Sequence, residues 1–245
     1  MEFKLINPNP KYSRARLVEP PTRGYLHLAA AVDAPTEGRF PSPSKEKSDL
    51  IDRLKDLARQ VERLESVAKA TVYQAVIVPT PSVYGQQKEF RQPRYDVAVL
   101  VETNDVDALE AVGKSEEYQA LRDAVTAATS DTHEFKGHCL ESLGEVDVTR
   151  PGLFLFNYNV SEDPKIALRT WEYCYGWFQA EADLNNATLL EPDSPSDYAY
   201  LSYARFDLDL PSFVELISKP SMGEYISTNL LANRVGSMPV LYDLV

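Results

Sequence analysis

Apolar and polar positions change period several times along the chain, and each change marks an element. Tyr25 to Val32 is a short apolar run suited to a strand, and breakers from Pro35 to Pro43 separate it from a long helical segment. In that segment Leu50, Leu54, Leu57, Val61 and Leu64 recur at alternating spacings of four and three, with Ile51 and Ala58 widening the stripe. This is the mark of an amphipathic helix, and it lasts too few heptads to favour a coiled coil over packing on a sheet. Thr71 to Val78 reads as a strand, Pro79 to Pro93 as a long connection, and Tyr95 to Val101 as another strand. Asp105 is a candidate N-cap for Val106 to Val112, Ser115 restarts the helix through Tyr118, Leu121 and Val125, and Thr132 to Leu140 forms a strand. The order is β-α-β-β-α-β.

The same order recurs. Leu153 to Val160 reads as a strand, Pro164 to Ala182 as a helix, and Ala187 to Leu190 as a short strand before the breakers Glu191 to Ser196. Tyr198 to Phe206 is a strand, Pro211 to Ile217 and Ser221 to Leu231 a broken helix, and Met238 to Tyr242 the last strand. Local details repeat as well. Thr22-Arg23 returns as Thr149-Arg150 before the first strand of each half, and Lys114-Ser115 with Tyr118 returns as Lys219-Pro220-Ser221 with Tyr225. The pattern predicts an internal duplication, with an irregular arm over 1–21 and modules over 22–146 and 147–245.

A β-α-β-β-α-β module is an antiparallel sheet with both helices on one face, so its other face needs cover. Strand parity places Leu26, Leu28, Ala30 and Val32 toward the helices and Tyr25, His27, Ala29 and Ala31 on the open face; Phe154, Phe156 and Tyr158 occupy that face in the second half. Soluble chains avoid large exposed apolar patches, so the two open faces are expected to pack together as a barrel. In this element order and duplication, over about Thr22 to Val245, the chain resembles the dimeric α/β-barrel (ferredoxin-like) superfamily, here with two halves in place of two subunits. That superfamily includes antibiotic-biosynthesis-type monooxygenases, stress-responsive barrel proteins and muconolactone isomerases. The segments Phe178 to Leu190 and Ala232 to Tyr242 are also similar to bacterial proteins without an assigned activity. The fold class expected is α+β, two fused modules packed sheet to sheet as a pseudo-dimeric barrel.

Composition narrows the function. Hydrophobic residues make up 44% of the 245, so the chain can bury a core. A formal net charge of −12 repels a phosphate backbone, and the nearest basic cluster, Lys88, Arg91 and Arg94, reads as a solvated loop, so no nucleic-acid partner is expected. No stretch approaches a membrane helix and no signal peptide is visible, so a cytoplasmic protein with no membrane partner is expected. Cys139 and Cys174 lack metal-ligand spacing and read as buried thiols, and no metal site is expected.

Chemistry-bearing residues are few. His27 belongs to the inferred interior and is the candidate catalytic residue, as a base or an orienting group. His133 and His138 have opposite parity, so only one of them can join it. Tyr25, Phe154, Phe156 and Tyr158 would line an interior pocket. From the strand Tyr198 to Phe206, either Tyr200 and Ser202 or Tyr203 and Arg205 would join them; Arg205 could hold an acidic ligand or simply pair with Asp207. The helix from Pro164 carries two aromatic stripes, Trp171, Cys174 and Phe178 on one and Tyr173 and Trp177 on the other, only one of which can meet the sheet. Asn157 and Asn159 read as caps on the helix side, and Asn185 and Asn186 as the turn after the aromatic helix. The function expected is binding of an apolar or aromatic small molecule inside the barrel, nearer the first strand where side chains are smaller. The resemblance adds cofactor-independent oxygenase chemistry. The alternatives are a filled barrel with an interaction role, in which the aromatic helix mediates a homo-oligomer, and haem binding through His27 or His138; the cofactor is left open.

Overall fold

A computed structural model describes residues 2–35 and 40–245, so part of the proline-bounded linker from Pro35 to Pro43 lies outside the described residues. The first half runs β1 (Gly24–Ala30), α1 (Lys45–Val61), β2 (Val67–Ile77), β3 (Val97–Thr103), α2 (Leu109–Lys114), α3 (Glu116–Ala128) and β4 (Thr132–Gly144). The second runs β5 (Leu153–Ser161), α4 (Pro164–Ala182), β6 (Ala187–Pro192), β7 (Tyr200–Phe206), α5 (Leu210–Ile217), a π-helical turn (Met222–Ser227), α6 (Thr228–Ala232) and β8 (Val235–Leu244). All strand pairs are antiparallel and close into one barrel in the order β1-β3-β2-β8-β5-β7-β6-β4. The order within the first half, β4-β1-β3-β2, recurs as β8-β5-β7-β6 in the second, and β2–β8 and β4–β6 are the seams.

Local chemistry fixes the element ends. Ser44 caps α1 through the Lys47 amide, Ser115 caps α3 through Tyr118, and Asp163 caps α4 through Lys165 and Ile166 with Pro164 in the first turn. The leucine stripe outlasts α1: the helix ends at Val61, and Leu64 packs beside that core from the following turn. α4 ends on Asp183, whose φ of 50° is left-handed, so neither Asn185 nor Asn186 makes the turn; Asn186 instead accepts the Arg205 N–H at 2.9 Å.

Three cores result. Leu26, Leu28 and Ala30 face α1 and α3, while Tyr25, His27 and Ala29 face the lumen, as alternation requires. Leu155 and Ala204 face the second helical layer, and Phe154, Phe156, Tyr158 and Tyr203 face the lumen.

Candidate functional site

Rings fill the middle of the lumen, and a space of about 190 Å³ remains at one end, lined by Tyr25, Glu102, Val146 and Tyr203 among others. Phe156 contacts His27, Tyr73, Tyr203 and Tyr242 at centroid distances of 4.8–5.3 Å. Their polar ends pair internally: the Tyr73 and Tyr203 hydroxyls are 2.7 Å apart, those of Tyr95 and Tyr198 3.1 Å apart, and the Tyr242 hydroxyl donates to the Tyr95 carbonyl at 2.8 Å. Of the interior pocket anticipated beside the first strand, the middle around His27 and Ala29 is filled, and only the space beside Tyr25 at the barrel end stays open. Tyr73, Tyr95 and Tyr242, contributed by β2, the approach to β3, and β8, occupy the space that the small residues of β1 leave.

Each residue singled out from sequence has a definite place. His27 is fully buried, with Nε2 3.4 Å from the Tyr158 hydroxyl and Nδ1 unpartnered. Burial holds its pKa well below 6.5, and His133, its ring centroid 6.2 Å away, is lowered to about 4 by burial and by Arg91. Arg91 is no free basic patch. It caps this end of the lumen over Tyr95, paired with Asp131 at 2.9 Å and Asp197 at 3.1 Å. His138, of opposite parity, is exposed and lies 2.9 Å from Asp193. Of the two sets left open on β7, Tyr203 faces the lumen; Tyr200 lies under α4 and donates to the Pro164 carbonyl at 3.2 Å. Arg205, two residues on from Tyr203, is buried and bound to the Pro151 carbonyl and to both oxygens of Asp207, which satisfies its charge locally.

A deeper space, open to solvent along one edge, lies outside the barrel wall. A cavity of about 320 Å³ separates the outer face of β5 and β8 from the second helical layer. Leu155, Asn157 and Ser237 form its floor, Trp171, Cys174, Tyr175 and Phe178 of α4 one wall, and Phe213, Ile226 and Leu230 the opposite wall. Its rim comes from the first half: the β2–β3 connection reaches across, with Val83 and Gln86 at the solvent edge. That connection is pinned to β8 where the Ser82 amide donates to the Ser237 carbonyl and the Ser237 amide to the Ser82 hydroxyl, both at 2.8 Å.

Among the described residues, no charged one lines this cavity. Asn157 and Asn159 are not helix caps; they hold each other, Ser202 and Ser237 in a hydrogen-bonded row on the floor. The Trp171 Nε1 and the Tyr175 hydroxyl are the exceptions. Both are buried, at 4% and 2% exposure, and neither meets full hydrogen-bond geometry with a protein partner, although Ser202 and Trp171 lie close enough to the Tyr175 hydroxyl to ease its ionisation slightly. Burial raises the Tyr175 phenol and pushes the Cys174 thiol up to about 12, so neither ionises near neutral pH.

No family model and no curated protein sequence matches the chain. Among solved structures it is similar to an anthrone oxidase-like protein, at 13% identity over 91% of each chain with a TM-score of 0.62. It is also similar to a candidate monooxygenase of Fusobacterium nucleatum subsp. nucleatum, at 9% identity over 91% of this chain and 93% of that one, TM-score 0.57. A candidate chlorite dismutase matches at 9% identity over 91% and 95%, TM-score 0.50. The fold, an α+β one on a closed eight-stranded antiparallel barrel, is similar to that of these proteins. At these identities the likeness is one of fold, and a fold of this kind does not fix a reaction.

Haem does not fit the residues present. His27 is enclosed by Phe156, Tyr158 and His133 with no room for a porphyrin, His138 stands on the surface, and no histidine lines the cavity. Among the described residues, no group of three or more His, Cys, Asp or Glu is placed to hold a metal ion, and no helix is long and apolar enough to cross a membrane.

Proposed function

We propose that this chain binds a small, flat, uncharged molecule with an apolar body and one hydrogen-bond acceptor, in the cavity of its second half. The observation that carries the reading is the pair of buried donors, Trp171 Nε1 and Tyr175 Oη, without an acceptor in full hydrogen-bond geometry, on the largely apolar wall of a space whose polar floor is already internally hydrogen-bonded. A buried polar group without a partner costs about 1–3 kcal/mol, and a carbonyl, ether or phenol oxygen of a ligand would recover that cost. An ionised ligand is disfavoured because no side chain there carries a compensating charge. A cavity of about 150 Å³ accepts benzene, so 320 Å³ suits two or three fused rings.

Oxygenase chemistry, which the names of two structural neighbours suggest, would take place on this ligand. The walls would exclude water from a carbanion and the two donors would stabilise an enolate or phenolate oxygen. The cavity holds no base with a pKa near neutrality, so such a substrate would have to lose its proton unaided. Binding is thus the better supported part of the reading, and His27, sealed in the lumen, has no part in it.

The architecture is read as two ferredoxin-like modules, residues 22–146 and 147–245, fused in tandem. The recurrence of one strand order in both halves supports this. The filled lumen then acts as the rigid core on which a site in one half is built.

Fluorescence titration with neutral 2-naphthol and 9-phenanthrol tests the reading, beside a native mass spectrum of the purified protein. Saturable binding that weakens in Trp171→Phe and Tyr175→Phe is expected. Binding that survives both changes, or its absence in the wild type, would overturn it.

A further inference from the structure

The two helical layers differ in one respect. In the first half α1 and α3 pack directly on each other, and Leu54, Ala58, Leu121 and Val125 fill the space above the sheet. In the second half α4 and the π–α6 segment do not pack helix to helix in that way, and the cavity lies in the gap. What spans the outer side of that gap is the N-terminal arm.

The arm is held by its backbone. Asn233 accepts the Lys4 N–H at 2.8 Å and donates to the Lys4 carbonyl at 2.7 Å; Asn229, one turn earlier, does the same for Ile6 at 2.7 and 2.9 Å. Both asparagines are buried. Farther along, Gln179 of α4 accepts the Arg16 N–H at 2.8 Å, and the Ala15 N–H donates to the Glu172 carbonyl at 2.9 Å. Between these clasps Tyr12 enters the gap. Its ring lies 5.0 Å from Tyr225 of the π-helical turn and 6.4 Å from Trp177 of α4, its hydroxyl donates to Glu181 at 2.8 Å, and its carbonyl accepts the Tyr225 hydroxyl at 3.0 Å.

Gly176 shows that α4 is built for this contact. Glycine inside a helix costs about 1 kcal/mol relative to alanine, and here a Cβ would collide with the Ser13 carbonyl.

We propose that Tyr12 is a specificity-determining residue, a wedge that keeps α4 and the π-helical turn apart and so sets the width of the cavity and the size of ligand it accepts. Without the wedge, the two walls close toward the direct helix contact seen in the first half, because unfilled space between apolar faces forfeits dispersion and burial. Smaller ligands remain accommodated and larger ones are lost. This rests on the cavity being the binding site.

The test is the ratio of dissociation constants for 9-phenanthrol and 2-naphthol, measured by fluorescence on the full chain, in the wild type and in Tyr12→Ala, Gly176→Ala and Tyr12→Phe, with folding checked by circular dichroism. Tyr12→Ala and Gly176→Ala, which lifts the arm from α4, are expected to weaken 9-phenanthrol by about tenfold or more, equivalent to about 1.4 kcal/mol, and 2-naphthol by less than about threefold. Tyr12→Phe, which keeps the wedge and loses only the Glu181 bond, is expected to retain the wild-type ratio. Should Tyr12→Ala not fold, Gly176→Ala carries the test, since alanine favours the helix itself. A wild-type ratio in the folded arm variants overturns the wedge and leaves the cavity reading intact. Absence of wild-type binding, or binding indifferent to Trp171→Phe, overturns both.

Discussion

Trp171 and Tyr175 stand one turn apart on α4 with ring centroids 4.4 Å apart, and each presents a buried hydrogen-bond donor for which no protein acceptor stands in full hydrogen-bond geometry. Residues four apart on a helix share a face, and both side chains line the same cavity wall. Tyr175→Phe removes one of them at almost constant volume. In the ligand-free protein the change is expected to raise stability by about 1 kcal/mol, because an unsatisfied hydroxyl disappears from an apolar site. Affinity for 2-naphthol is expected to fall about tenfold. Urea titration and fluorescence binding on the same variant read both, and a variant less stable than the wild type would show that the hydroxyl has a partner after all.

The lumen responds in the opposite way. Tyr203→Phe takes from the buried Tyr73 hydroxyl its partner at 2.7 Å and leaves it only the weaker contact with Thr71. A loss of about 1–3 kcal/mol is expected from that desolvated group, with the affinity for 2-naphthol unchanged because the cavity lies on the other side of the sheet. Weakened binding would return the ligand to the lumen.

Acid sensitivity follows from the two lumen histidines. Their folded pKa values lie below the usual 6.5, at about 4 for His133 and lower than normal for His27. As pH falls below 6.5 the unfolded chain takes up protons that the folded one refuses, so stability falls with pH until the folded groups titrate. The slope is at most about 1.4 kcal/mol per pH unit for each histidine. Urea midpoints compared at about pH 7 and about pH 5 are expected to drop for the wild type and to drop less for His133→Phe, while equal drops would place the acid response in other groups.

The barrel was legible in the sequence because its determinants are local and periodic. Alternation separated Tyr25 and His27 from Leu26 and Leu28, and Phe154 and Phe156 from Leu155, and those separations are the two faces of the wall. The filling of the lumen was not legible, since it depends on four rings from four other stretches, Tyr73, Tyr95, Tyr203 and Tyr242, whose convergence only the closed topology supplies. The cavity was half visible. Two aromatic stripes on α4 implied cover on two sides, and the second cover is the arm: Phe3 stacks on Tyr173, and Tyr12 packs on Trp177. The contrast between the long Pro79 to Pro93 connection and the short Glu191 to Ser196 segment was also a signal that the first half reaches beyond its own sheet.

That reach can be tested at Gly236, where β8 meets the connection. A Cβ there would lie 2.8 Å from the Gly85 Cα and would also collide with the Val160 side chain, so Gly236→Ala must push the connection outward or strain β8. Because Val83 and Gln86 form the rim of the cavity, displacement widens its mouth without touching Trp171 or Tyr175. Ligand release should therefore accelerate more than association, since contacts at the rim are lost while the donors that fix the ligand remain; affinity differences among variants of one site reside mostly in dissociation. Stopped-flow dissociation of 9-phenanthrol is expected to quicken about fivefold or more, while the pH dependence of stability, which belongs to the lumen, stays as in the wild type. An unchanged dissociation rate in a folded Gly236→Ala protein would mean that the first half lends the cavity no gate, and that the ligand enters and leaves between α4 and the π-helical turn instead.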